Sequence, residues 1–231
     1  MTMHNNFLYY VIDSYICRFL IIIFVPFLGY YYVSHYMNVE HILFFNDLHH
    51  QDNFNPYGSP QNHCFSNSTD SDGIPSHYGI YGCNSPSRLT HSFFNFLKTR
   101  PKPSMIIFAG DSVSLPEKTD QAYLKWMDYF TSTLSNIYPS TPLLMALGNN
   151  EFLHNYGSFD TDHHDFHLFA QGLSPYLNSE QIATIRKGGY YYQDFSNQKL
   201  RVIILNTVMY LTKMSRKNHN ETDPWGQFSN S

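Results

Sequence analysis

Met105-Ile106-Ile107-Phe108-Ala109-Gly110-Asp111 is an apolar run, rich in strand-forming residues, that ends in a glycine and a carboxylate. It reads as a buried strand followed by the polar pair it delivers at its carboxyl end. Two other stretches repeat the pattern. His41-Ile42-Leu43-Phe44-Phe45 leads into Asp47-Leu48-His49, and Pro142-Leu143-Leu144-Met145-Ala146-Leu147 leads into Gly148-Asn149-Asn150-Glu151. In an open α/β sheet, side chains at the carboxyl ends of neighbouring strands converge on one crevice. Two carboxylates, an imidazole and an amide meeting there are hard or borderline ligands, suited to a two-metal hydrolytic centre. Each cluster alone is an ordinary turn; the three in order carry the reading.

The segments between and beyond the clusters have the periods such a fold needs. Ser85-Pro86 reads as N-cap and first residue of a helix ending before Pro101, with Leu89, Phe93, Phe96 and Leu97 as its buried stripe. Tyr123, Trp126, Met127, Phe130, Leu134 and Ile137 recur at three- and four-residue steps, and Pro139 stops that helix. Two shorter helical patterns follow, about Asp165 to Tyr176 and Ser179 to Lys187, the second closed by Gly188-Gly189. Tyr190 to Tyr192 and Leu200 to Leu205 read as a strand pair. Strands alternating with helices at this spacing predict an α/β fold with a largely parallel sheet. A long Gly- and Pro-punctuated loop, Asp47 to Ser85, is expected to be functional or irregular.

Composition narrows the classes. Of 231 residues 42% are hydrophobic and 17% aromatic, enough for one substantial core, while 14% are charged and the net charge is -4. That balance gives no basic stripe, so nucleic-acid binding is not expected. Residues 1–39 are expected to be a cytoplasmic stub and signal-anchor, with 40–231 forming the folded domain. The basis is Phe19 to Val33, an uncharged apolar run preceded by Arg18 and shorter than the roughly 20 residues of a full helical span. After Arg18 no Lys or Arg occurs before Arg88, so the far flank is the one translocated. The expectation is a single-pass type II protein with a lumenal, vacuolar, lysosomal or extracellular body; a secreted protein with a cleaved signal is the alternative. Asn67-Ser68-Thr69 and Asn220-Glu221-Thr222 are N-glycosylation sequons. Cys64 and Cys83 lack metal-ligand spacing and in an oxidising compartment would be natural disulfide partners.

With these residues in view, the chain resembles the calcineurin-like metallophosphoesterases, whose motifs run D-x-H, G-D and G-N-H-[DE]. More narrowly it is similar to the acid sphingomyelinase-like and endopolyphosphatase branch. Tyr78-Gly79-Ile80-Tyr81-Gly82-Cys83-Asn84-Ser85-Pro86, Gly188-Gly189-Tyr190-Tyr191, Arg201 to Thr207 and Asp223-Pro224-Trp225-Gly226-Gln227-Phe228 carry that narrower likeness. The resemblance implies a β-sandwich flanked by helices. It implies that Asp47 and His49 bind a first metal, that Asp111 bridges two, and that Asn149 binds the second. Zinc is the expected ion, with manganese or iron as alternatives. A hydroxide activated by both ions would attack phosphorus in line on a phosphodiester, phosphomonoester or polyphosphate.

The departures from the family pattern matter too. Asn150 stands where the motif has a histidine; it can donate a hydrogen bond to a substrate phosphate but cannot act as a general acid. Leu115 stands where sphingomyelinase-like members place another histidine. The family's later G-H-x-P-P and G-H-x-H segments have no counterpart before Ser231, so the domain is expected to be incomplete at its carboxyl end. The alternative to a hydrolase is therefore an inactive, membrane-anchored, glycosylated binding protein. His163 and His167 have helical spacing but are expected to face solvent, with the neighbouring aspartates complementing a helix dipole. His50 is a further candidate to line the pocket.

Overall fold

In a computed structural model the described residues are 41–65, 75–114, 119–153, 163–210, 223 and 225–228. The apolar run 19–33, both sequons and Leu115 lie outside them. Among the described residues no helix is long and apolar enough to cross a membrane.

The three runs that end in polar clusters form one parallel sheet. It comprises β1 (Ile42–Phe45), β4 (Met105–Phe108) and β5 (Leu143–Met145), in the order β1-β4-β5. Parallel neighbours require crossovers, supplied here by α1 (Ser87–Leu97) and α2 (Asp120–Ile137). The register explains why the clusters meet. Phe45 pairs with Phe108, and Phe108 with Met145, so the three strands end level and each releases its polar residues at the same edge. Behind the sheet, Phe108, Met127 and Phe130 are fully buried, and Tyr123 with them.

Helix α2 buries the stripe its sequence announces, Tyr123 through Leu134, with Thr119 accepting from Ala122 N (3.2 Å) as N-cap. Helix α1 departs from expectation in start and in face. Ser85–Pro86 is a short strand, β3, parallel to β2 (His50–Gln51), and Pro86, held extended, becomes the N-cap. The cause is Ser85 N donating to His49 O (3.0 Å), which keeps that backbone out of the helix. The buried residues are Thr90, Phe94 and Leu97, while Leu89 and Phe96 are exposed. Two overlapping stripes fit one helical period. The Thr90 hydroxyl, 3.0 Å from buried His50 Nδ1, helps turn its own face inward, and the Arg100 guanidinium lies 4.1 Å over the Phe96 ring outside.

Helix α3 (His164–Leu173) passes at Ser174-Pro175 into a single 3-10 turn, so the longer pattern read to Tyr176 is two elements. Helix α4 (Ser179–Gly188) begins on an Asn178–Gln181 capping box and ends at Gly189, whose φ of 73° is the left-handed stop glycine tolerates. The strands β6 (Tyr191–Phe195) and β7 (Leu200–Ile204) form an antiparallel pair. A side chain ties it to the parallel sheet: Tyr191 OH accepts from Met145 N (2.8 Å) and lies 3.2 Å from Met145 O. Burial of that phenol pushes its pKa well above the ordinary value. The Asn206 and Gln227 segments lock together beyond β7, Asn206 N donating to Gln227 Oε1 (2.7 Å) and Asn206 Nδ2 to Gly188 O (3.1 Å). The architecture is mixed α/β, consistent with a metallophosphoesterase fold.

Candidate metal centre

The level strand ends force two loops to cross at van der Waals contact, and glycine is what lets them. A Cβ on Gly110 would sit 2.5 Å from Gly148 N, and one on Gly148 would run into Asp111 N and its carboxylate. Backbone bonds then stitch the first loop to the second, Asp47 N donating to Gly110 O and His49 N to Asp111 O, both at 3.0 Å. The stitching holds Asp47, His49 and Asp111 in the left-handed region, at φ 54°, 45° and 58°. A non-glycine residue there costs on the order of 1–3 kcal/mol and persists only where its surroundings over-determine it. The strain turns three side chains to one point.

Ligand atoms of Asp47, His49 and Asp111 all lie within 4.8 Å of one another. His49 Nε2 is 3.4 Å from Asp47 Oδ1 and 3.7 Å from Asp111 Oδ2. Asp111 sits at the centre, its Oδ1 accepting from Asn150 N (2.8 Å). Asn149 turns its side-chain oxygen to acceptors. Turned over, the amide would donate to Asp111 Oδ2 at 3.2 Å and accept from Asn150 N at 3.3 Å. Both ends of the amide are then satisfied within the protein, and presenting its oxygen to a cation takes the opposite rotamer. Oxygen and imidazole donors on one point fit a divalent ion of the zinc or manganese kind.

Asn150 divides its hydrogen bonding. Besides its backbone bond to Asp111, its side-chain nitrogen lies 3.3 Å from His49 Nδ1. The amide NH₂ is a donor, so Nδ1 accepts in this pair, and the contact fixes the orientation of the imidazole ring. That side chain thus addresses the imidazole as well as any phosphate.

Other histidines are committed elsewhere. His50 is buried: its Nδ1 meets Thr90 Oγ1, its Nε2 meets Asp52 Oδ1 (2.7 Å), and its ring stacks on Trp126 at 4.0 Å. It packs the core rather than lining a pocket, and burial lowers its pKa. His163 corrects the solvent-facing expectation. It caps α3 by accepting from Asp165 N (3.2 Å), and its ring packs between Phe152 and Phe166. Asp165 is likewise buried, whereas His164 is exposed and pairs with Asp120 (2.9 Å).

Sequence reasoning assigned no task to Glu151, Ser112 or Trp126. Glu151, 1% exposed, accepts from Asp111 N (2.9 Å), Gly148 N (2.8 Å), Ser112 N (2.7 Å) and Ser112 Oγ (2.7 Å). Burial pushes its carboxyl pKa up, and the bonds from Ser112 and Asp111 oppose that rise. The signal was present in the acid that closes Gly148-Asn149-Asn150-Glu151. Its demand for buried donors becomes visible only once the loops cross.

Residues 40–226 match the family model for calcineurin-like phosphoesterases. The chain belongs to the calcineurin-like phosphoesterase family. A domain of that family implies divalent metal ions, and the Asp47-His49-Asp111 cluster is a possible site for them. Among similar proteins is a cyclic GMP-AMP phosphodiesterase of Bos taurus, 31% identical over 79% of this chain and 41% of the relative. The sphingomyelinase phosphodiesterase C of Dictyostelium discoideum is 30% identical over 67% of this chain and 35% of the relative. The human acid sphingomyelinase-like phosphodiesterase 3b is 28% identical over 65% and 34%. The chain thus spans well under half the length of the relatives it matches.

Proposed function

We propose that this chain carries the Asp47, His49, Asp111 and Asn149 part of a metal-dependent phosphodiester-hydrolysing site of the acid sphingomyelinase-like type. The observation that carries the proposal is the convergence of the Asp47, His49 and Asp111 ligand atoms within 4.8 Å at the level ends of β1 and β4. Divalent ions held there would supply Lewis acidity toward a phosphoryl oxygen and lower the pKa of water. The chain's own residues supply the rest. Asp47 and Asp111 offer hard carboxylate oxygens, and His49 and Asn149 offer an imidazole nitrogen and an amide oxygen. The central position of Asp111, between His49 and the Asn149-Asn150 backbone, suits it to bridge two ions. Asn150 orients His49 and has donor capacity for a substrate phosphate. The proposal assigns two divalent ions to the site, with zinc as the resident metal and manganese or iron as alternatives. The phosphodiesterase names of the relatives support phosphodiesters as the substrate class.

The compartment reading is part of the proposal. Cys64 and Cys83 are joined as a disulfide, Cα to Cα 5.9 Å, which suits an oxidising lumen or exterior. The run 19–33 would anchor the chain, and Asn67 and Asn220 would carry glycans. An endoglycosidase mobility shift and carbonate extraction of membranes test these two points.

The activity is tested with metal-reconstituted full chain against bis(p-nitrophenyl) phosphate, cyclic GMP-AMP, sphingomyelin and polyphosphate. The expected result is chelator-sensitive turnover of a phosphodiester, restored by Zn²⁺ or Mn²⁺ and lost in Asp111→Asn. Bound metal with no turnover of any of the four substrates would replace the hydrolase reading by that of a binding protein.

A further inference from the structure

Glu151 turns its carboxylate away from the ligand cluster and onto the backbone that carries it. One oxygen accepts from Asp111 N and Gly148 N, and the other from Ser112 N and Ser112 Oγ. Ser112 Oγ in turn accepts from Trp126 Nε1 (3.0 Å), and the Trp126 ring lies flat on His50, 14° from parallel. His50 directly follows His49, Ser112 directly follows Asp111, and Glu151 closes the turn of Asn149. The three are all nearly inaccessible to solvent.

We infer that Glu151, Ser112 and Trp126 are positioning residues for the metal centre. They form one continuous frame that fixes the three ligand loops against one another from behind. The inference rests on the metal reading of Asp47, His49, Asp111 and Asn149. The chemistry of each member is specific. A carboxylate offers two acceptor oxygens to four converging donors, whereas a glutamine would turn an NH₂ group onto N–H donors. A serine hydroxyl can donate to Glu151 and accept from an indole N–H at once. Trp126 couples α2 to two loops, through its N–H to Ser112 and through its face to His50. Losing a group that orients metal ligands typically costs about ten- to hundredfold in metal affinity.

A core-packing role alone would lower thermal stability and leave metal affinity unchanged in the folded protein. Calorimetric titration of the metal-stripped full chain with Mn²⁺, well below Tm, separates the two roles. Trp126→Phe keeps an aromatic ring beside His50 while removing the indole N–H and part of the ring volume, and Glu151→Gln retains the side-chain shape. Both are expected to bind Mn²⁺ about ten- to hundredfold more weakly than wild type. In the same proteins, amide hydrogen exchange should show lost protection at Asp111, Ser112 and Gly148. Should Glu151→Gln not fold, Trp126→Phe and Ser112→Ala carry the comparison. Wild-type Mn²⁺ affinity in the folded variants, with Asp111→Asn abolishing binding, overturns the positioning role and leaves the metal centre standing. Undiminished binding by Asp111→Asn overturns the metal reading and this inference with it.

Discussion

At Gly110 and Gly148 the site depends on what is missing from the side chain. Gly110 adopts a φ of 97°, and a Cβ there would meet Gly148 Cα at 2.7 Å, backbone against backbone. Neither loop can yield without moving a proposed ligand. Gly110→Ala is therefore expected to cost more than about 3 kcal/mol in urea denaturation, outside the range of ordinary surface substitutions. A cost below about 0.5 kcal/mol would mean that the two loops do not cross as described. These glycines were legible only as turn formers; their requirement comes from a neighbour 38 positions away in sequence, which local pattern cannot show. Glu151 was illegible for the same reason, because its four donors come from three separate positions. The proposed ligands Asp47, His49, Asp111 and Asn149 stand out in sequence because each lies two to four residues beyond the end of a strand.

Among elements, the strands were legible as short apolar runs with a clean stop, and α2 by the single helical period of its buried face. Helix α1 was not. Its sequence carries two apolar stripes a residue apart, and the choice between them was made by Thr90 and His50, a contact outside the helix. The β6–β7 pair offers a test of local electrostatics. Arg201 Nε and its terminal nitrogen donate to Asp194 at 2.8 and 2.9 Å, and the guanidinium also lies 4.0 Å over the Tyr192 ring. The hydrogen bonds from Arg201 hold the Asp194 carboxyl below its ordinary pKa. A carboxyl depressed in the folded state adds stability above its unfolded pKa, about 3.9, and loses that contribution as pH falls through the folded value. Both groups are exposed, so salt should weaken the effect. A carboxyl-detected NMR titration should find the Asp194 midpoint rising in Arg201→Met. An unmoved midpoint would show that the pair does not persist in solution.

For the whole molecule, the long stretch after Asp47 is held by means a sequence only hints at. It contributes β2 and β3, closes the 19-residue Cys64–Cys83 separation with a disulfide, and anchors Gln51 Nε2 on His63 O at 3.2 Å. A loop of this length predicts a loss of about 3 kcal/mol when the bond is removed, chiefly by freeing the unfolded chain. The double substitution Cys64→Ala, Cys83→Ala should show that loss in urea denaturation, and reductant should then have no further effect. Equal stability with and without the bond would place the order of this stretch in its packing alone. The parallel order of β1, β4 and β5 was readable from strand-helix alternation, whereas the Tyr191 link from β6 to β5 was not. It is one hydroxyl on one backbone position, and no periodicity encodes it.

Three level strands bring Asp47, His49, Asp111 and Asn149 together as the proposed divalent metal centre. Electron paramagnetic resonance of the metal-stripped chain during Mn²⁺ addition tests it directly. The prediction is loss of the free-ion signal up to about two ions per chain, with a coupled pair appearing at saturation. In Asp111→Asn the coupled signal should be absent and the free-ion signal should persist from the first addition. If Asp111→Asn takes up Mn²⁺ as wild type does, the ions sit elsewhere and the claim is wrong.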